Sequence, residues 1–165
     1  MGSYDLGKDI ACSHVHNNFP MTASILDVGA CDGKWRTLLP EYPNMDAVEA
    51  FAKNARKLRK MGYRKVYQKD ICDFQYDWYD LIIFGDVIEH LTVTQAQAVL
   101  EYAKPRCKDM IIAVPFLFEQ DAIYGNPYEL HKQPDLTAEL FDGRYPGFEV
   151  LCRPIGGYCY YHKRW

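Results

Sequence analysis

The sequence has little that would take it out of ordinary aqueous chemistry. No run approaches the ~20 apolar residues of a membrane-spanning helix. Its first residues, Met1-Gly2-Ser3-Tyr4-Asp5-Leu6, hold no apolar signal core. Gly2 suits a myristoylation signal, but Leu6 stands where serine or threonine is required. The six cysteines (Cys12, Cys31, Cys72, Cys107, Cys152 and Cys159) show no paired metal-binding spacing, and several lie in apolar runs where a thiol behaves as a small hydrophobe. A reducing, cytoplasmic setting is the expectation. There is no excess of positive charge: 19 Lys and Arg face 22 Asp and Glu, for a net charge of −3, which argues against a nucleic-acid partner. Lys53, Arg56, Lys57, Arg59, Lys60, Arg64 and Lys65 do cluster, and they read as a solvated helix face. Repeats, low-complexity tracts and linkers are also missing, so residues 1–165 are expected to form one domain.

What is present is an alternation of strand-like and helix-like segments. Apolar residues make up 48% of the chain, enough for a substantial core. Residues 24–28, 45–49, 65–68, 80–84 and 110–114 read as strands. Helices are expected over 34–39, stopped by Pro40, and over 51–60, with Gly62 near its end. Thr92-Val93-Thr94-Gln95 has the form of a capping box. The helix it opens carries Val93, Ala96, Val99, Leu100 and Ala103 on one face. A last helix is expected over 135–141. Residues 148–152 and 158–162 then form an antiparallel pair across Pro154-Ile155-Gly156-Gly157. The stretch before Pro20 has no clear period and reads as a short helix or an arm. Alternation of this kind implies crossover units and a mostly parallel sheet covered on both faces.

The segment 24–35 runs from a strand through a two-glycine loop into a helix, a standard place to hold a small ligand. Two phosphate-binding loops are excluded there. Gly29-Ala30-Cys31-Asp32-Gly33-Lys34 fails the dinucleotide pattern G-x-G-x-x-G twice, at Cys31 and at Lys34. No Gly-Lys-Ser/Thr is present, so the P-loop fails too. Asp32 would also repel a pyrophosphate. S-adenosylmethionine has no phosphate, and its ammonium and sulfonium are positive, so Asp27 and Asp32 are compatible with it. The plainer reading is a tight turn with Asp32 as a helix N-cap.

Three more acidic segments follow successive strands. Glu49 ends the second, about 20 residues after the loop, where an acid can accept from both ribose hydroxyls. Asp70-Ile71 follows the third, where an acid can accept from an adenine amino group. Gly85-Asp86-Val87-Ile88-Glu89-His90-Leu91 follows the fourth. Each has an ordinary reading as a loop or helix-flanking residue, but one shared site explains all of them together. With Ile25-Leu26-Asp27-Val28-Gly29-Ala30-Cys31-Asp32-Gly33, Ala47-Val48-Glu49, Lys69-Asp70-Ile71 and residues 80–91 in order, the chain resembles a class I S-adenosylmethionine-dependent methyltransferase. The resemblance implies an α/β three-layer sandwich: a mostly parallel seven-stranded, Rossmann-like sheet with a C-terminal antiparallel hairpin. It implies that Asp27, Gly29, Ala30, Cys31 and Gly33 line the methionine end of the cofactor. Glu49 would hold the ribose, with Ala50 beside the adenine. Asp70 and Ile71 would flank the adenine, and Asp86 and Val87 would face the sulfonium. The family usually has glycine where Cys31 stands.

Methyl transfer needs an in-line acceptor and, for oxygen or nitrogen, a base. Glu89, His90 and His131 are the candidates. His131 ends the long segment 120–131 after the fifth strand; loops of that length are often functional lids. The leading expectation is methyl transfer to a small-molecule or sugar-like acceptor, with no residue assigned to a metal. Asp86, Glu89, His90 and His131 also have the composition of a divalent-metal site. They are similar to the Glu-x-x-Glu-His plus histidine arrangement of metal-dependent RNA 2′-O-methyltransferases, with Asp86 in place of the first glutamate. A cofactor-binding regulatory module that transfers nothing is the third reading.

Overall fold

The computed structural model describes residues 5–123, 125–154 and 156–165. Its centre is a seven-stranded sheet in the order β3-β2-β1-β4-β5-β7-β6. The strands are β1 (Ile25–Val28), β2 (Met45–Val48), β3 (Val66–Tyr67), β4 (Tyr79–Gly85), β5 (Cys107–Pro115), β6 (Glu149–Cys152) and β7 (Tyr158–Arg164). The first five run parallel, and β7 lies antiparallel to both β5 and β6. This is the expected fold class. Of the turn between β6 and β7, Ile155 lies outside the described residues.

Helices cover both faces. Side chains alternate across a pleated strand, so β4 sends Leu81 and Ile83 to one face and Ile82 and Phe84 to the other. Likewise, β5 divides Ile111 and Ala113 from Met110, Ile112 and Val114. On the first face lie α1 (Lys8–Asn18), with Ala11, Cys12 and Val15, and α2 (Lys34–Leu38), with Trp35. α3 (Ala52–Leu58) seats Leu58 against Ala47 of β2. On the second face, α4 (Val93–Ala103) buries Ala96, Val99, Leu100 and Ala103, while α5 (Ala138–Arg144) buries Phe141. Phe141 stacks on Tyr161 of β7 with ring centroids 3.7 Å apart. Burial of each large side chain contributes about 1.5–3 kcal/mol.

The capping box forms as read: Thr92 Oγ1 accepts from the Gln95 N–H at 3.3 Å, and Gln95 Oε1 accepts from the Thr92 N–H at 3.0 Å. Elsewhere the helix starts differ from expectation. Asp32 is not the cap of α2. Gly33 occupies that position in the left-handed region (φ 78°), with no side-chain cap bond. The last helix starts at Ala138 rather than 135 because the Thr137 side chain accepts from the Leu140 N–H and fixes the first turn there. The unpatterned N-terminal stretch is α1, an eleven-residue helix. It is tied to the far end of the chain: Tyr160 donates to the Leu6 carbonyl at 3.0 Å, and the Cys152 thiol approaches the Gly7 carbonyl at 3.8 Å.

Candidate active site

A cavity of about 680 Å³ opens over the carboxyl ends of β1, β2, β4 and β5. This is the region where open α/β sheets bind ligands, and the volume is in the range of small-molecule sites. Its walls include Asp27, Gly29, Ala30 and Cys31 from the first loop. Glu49 and Ala50 follow β2, and Asp70 and Ile71 follow β3. Asp86, Val87, Glu89 and His90 follow β4, and His131 comes from the segment after β5. Thus one cavity collects every residue read as a site residue except Gly33. Gly33 faces α3 instead: a side chain there would meet Met61 at 2.5 Å, so its left-handed turn serves the packing of α2 on α3.

The first loop bends because three of its residues, Gly29, Cys31 and Gly33, take positive φ. At Gly29 (φ 63°) a side chain would strike Val87 Cγ2 at 2.7 Å. Cys31 also adopts positive φ, at 46°. Glycine enters that region freely, whereas another residue pays about 1–2 kcal/mol. The loop therefore keeps a glycine-like path through Cys31. Compensating contacts hold it there. The Cys31 N–H donates to Glu49 Oε2 at 2.8 Å, and its Sγ lies 3.7 Å from Asn54 Nδ2 and 3.9 Å from Glu129 Oε1. Burial, reinforced by Glu129 and Glu49, pushes the thiol up to about 12, so it stays protonated.

Each acid has its own environment. Glu49 is buried; its Oε1 accepts the Phe51 N–H at 2.8 Å, which leaves one lone-pair direction on each oxygen for further donors. Burial raises its pKa, and the two backbone N–H bonds oppose that shift. Asp27 is buried on β1, where Tyr63 donates to its Oδ2 at 2.5 Å, and burial raises it to about 7. Asp70 Oδ1 caps the short 3-10 turn Ile71–Asp73 by accepting the Cys72 N–H at 2.9 Å. Asp86 also sits at positive φ (57°), and its Oδ1 accepts from the Tyr158 hydroxyl at 2.5 Å.

The three candidate bases converge. One ligand-capable atom from each of Glu89, His90 and His131 lies within 4.8 Å of the others. The His90 and His131 rings meet edge-on with centroids 4.6 Å apart. His131 Nδ1 lies 2.7 Å from the Phe118 carbonyl, and His90 Nδ1 lies 3.3 Å from that of Leu130. A carbonyl only accepts, so Nδ1 carries a proton in both rings and Nε2 is the ring nitrogen left for a further partner. Burial, with His131 beside it, lowers His90 to about 4. Glu89 is buried with no hydrogen-bond partner for either carboxyl oxygen among the described residues, and burial beside Asp86 holds it well above the usual carboxylate range. Its backbone carbonyl accepts from Lys132 and Gln133, which clamps His131 over the turn after β4.

Several residues around the cavity carried no signal in the sequence reading. Glu129 was only part of a long loop, and Tyr158 only a strand residue. Trp35, which also lines the cavity, read as an apolar helix position. Gln133 bonds the Ile88 and Leu91 carbonyls at 2.7 and 3.0 Å, and it receives the Tyr145 hydroxyl at 2.8 Å. Lys8 is buried from α1 with its Nζ 4.8 Å from the Trp35 ring centroid. Of the aromatics in 120–131, Tyr128 lines the cavity and Tyr124 lies outside the described residues.

No protein-family profile and no curated protein matches the sequence. Solved structures do match. The complex of DhpI with S-adenosylhomocysteine (SAH) is 15% identical, over 94% of this chain and 82% of that one, with a TM-score of 0.72. An S-adenosylmethionine-dependent methyltransferase from Clostridium acetobutylicum ATCC 824 is 14% identical over 98% and 92%, with a TM-score of 0.73. The small RNA methyltransferase HEN1 is 18% identical over 99% of this chain, but this chain spans only 26% of it, with a TM-score of 0.72. The fold is that of the class I S-adenosylmethionine-dependent methyltransferases.

Proposed function

We propose that this protein transfers the methyl group of S-adenosylmethionine to an oxygen or nitrogen of a small-molecule acceptor. The observation that carries the reading is a single cavity joining the acidic strand ends to the Glu89–His90–His131 cluster. The fold likeness to DhpI, solved with SAH and also as a SAM-HEP complex, supports the cofactor. In this reading the free lone-pair directions of Glu49 receive the ribose hydroxyls. The adenine lies between Ala50, Asp70 and Ile71. The methionine end lies along Asp27, Gly29, Ala30 and Cys31, with Asp86 and Val87 on the sulfonium side. S-adenosylmethionine supplies a methyl group activated by its positive sulfur. His131 Nε2 takes the proton of the attacking acceptor, with His90 held neutral beside it as the alternative base. Tight positioning by the loop supplies the near-linear approach that displacement requires.

Calorimetry with S-adenosylmethionine, SAH and NAD side by side tests this reading. Binding of the first two is expected, and binding of NAD alone would overturn it. Glu49→Ala should weaken S-adenosylmethionine binding about 100-fold, the scale of two charge-assisted hydrogen bonds. Unchanged affinity would remove Glu49 from the ribose.

One observation favours a second reading. Two imidazole Nε2 atoms and a buried carboxyl that has no hydrogen bond among the described residues fit a divalent cation, and Glu89, His90 and His131 would hold it as Lewis acid toward an RNA 2′-hydroxyl. Asp86, engaged by Tyr158, is not among the converging side chains, which leaves three protein ligands rather than four. Turnover that survives chelation and is indifferent to RNA would eliminate this reading.

A further inference from the structure

A second cluster of two histidines and a carboxylate lies at the other end of the sheet. Asp109 is near the start of β5, His162 is on β7, and His14 is in the middle of α1. Pairing of Asp109 with Arg164 and of Ile111 with His162 puts Asp109 and His162 on the α1-covered face. About six strand residues, roughly 20 Å, separate Asp109 from the cavity end of β5.

We propose that His14, Asp109 and His162 bind a divalent transition metal of the zinc class, joining α1 to the sheet. One ligand atom from each lies within 4.8 Å of the others. Among the described residues, His14 Nε2, Asp109 Oδ1 and His162 Nδ1 are buried without a hydrogen bond, and His14 Nε2 lies 3.6 Å from Asp109 Oδ2. The Asp109 side chain is fully buried (0% exposed), a costly place for an oxygen with nothing to accept. Two imidazole nitrogens and one carboxylate oxygen select zinc-like ions over magnesium or calcium, which prefer all-oxygen shells.

Neighbouring side chains hold the ligands in place, as hydrogen-bond partners of ligating residues do at metal sites. Arg164 Nε donates to Asp109 Oδ2 at 3.2 Å, which leaves Oδ1 to the metal. Arg164 Nη2 is held in turn by Asn18 Oδ1 at 3.2 Å. With Nδ1 toward the metal, His162 presents Nε2 to Glu149, 3.8 Å away. A tetrahedral zinc with bonds near 2.0–2.1 Å sets its ligands about 3.4 Å apart, so the side chains close by about 1 Å on binding. His14 and His162 are partly exposed and supply that movement.

The test uses the full chain carrying His131→Ala, which disables the cavity cluster. Co²⁺ titration should then give one equivalent of tight binding with visible ligand-field absorption, and zinc should displace it. Adding either His14→Ala or His162→Ala should weaken binding at least 100-fold. No binding at micromolar metal, or no change on adding either substitution, would overturn the proposal. A readout that needs no change at the site is thermal unfolding. Zinc at a hundredfold excess over Kd should raise the Tm of the His131→Ala chain by about 8 °C. An unmoved Tm would also overturn it.

Discussion

Two clusters of the same composition, two histidines and a carboxylate, stand at opposite ends of one sheet. Glu89, His90 and His131 open into a cavity and are placed by loops: the turn after β4 and the segment that Gln133 pins to it. His14, Asp109 and His162 are placed by regular elements and enclosed between α1 and the sheet. The carboxyl groups differ most. Burial beside Asp86 holds Glu89 well above the usual carboxylate range, whereas Asp109 carries the Arg164 guanidinium. Identical functional groups are thus set up for different work. In the cavity, neutral lone pairs face a space that a substrate can enter. Behind α1, the three groups converge to within 4.8 Å of one another.

The largest expected effect breaks this comparison by function. His131→Ala should lower methyl transfer by about 10²–10⁴-fold, the usual contribution of a positioned base, whereas His162→Ala should leave the turnover rate within twofold. Steady-state kinetics with any acceptor that turns over would check both, and equal losses would show that the two clusters are not functionally separate.

A second prediction concerns pH. His90 falls from its ordinary 6.5 to about 4 in the folded chain, so the unfolded chain binds more protons between those values. The stabilising contribution is complete above pH 6.5 and is lost as pH falls toward 4. The shift corresponds to about 3 kcal/mol. Raised Glu89 opposes it, because its folded form resists ionisation as pH rises above the ordinary carboxylate value. Urea unfolding of His90→Gln between pH 4 and 7, in chelator, should therefore show a stability profile that falls more with rising pH than that of the native sequence. Superimposable profiles would mean that His90 is not held neutral by its surroundings.

The smallest effect concerns the loop that reaches across the cavity. Cys31→Gly removes the positive-φ penalty but adds unfolded-chain entropy, so stability should change by no more than about 1 kcal/mol in urea melts. A loss above 2 kcal/mol would show that the thiol contacts to Asn54 and Glu129 anchor the first loop more strongly than its backbone strain disfavours it.

Much of the sheet was legible in the sequence because buried parallel strands are nearly continuous apolar runs, as in Leu81-Ile82-Ile83-Phe84 and Met110-Ile111-Ile112-Ala113-Val114. Helix α4 was legible from its period and its capping box. Helix α1 was not: it buries only Ala11, Cys12, Val15 and the stem of Lys8, too few for a clear apolar stripe. The cavity residues were visible as acids at successive strand ends, since topology sends those ends to one place. Gly33 shows the limit of that reading, because a glycine in a ligand loop also serves helix packing. Tyr158, Glu129 and Gln133 escaped notice because their partners are distant in sequence. The His14, Asp109 and His162 cluster escaped for the same reason; only the register of β7 on β5 brings it together.

The bond from Tyr160 to the Leu6 carbonyl has a consequence for how the chain folds. Its partners are separated by 154 residues. The seat of α1 is therefore complete only once β7 is in place. Until then Ile111 and Ala113, which pair with β7, lack a flanking strand on that face. Partly folded chains with exposed apolar sheet are the species that aggregate. The folding chain is thus most prone to aggregate until β7 pairs with β5.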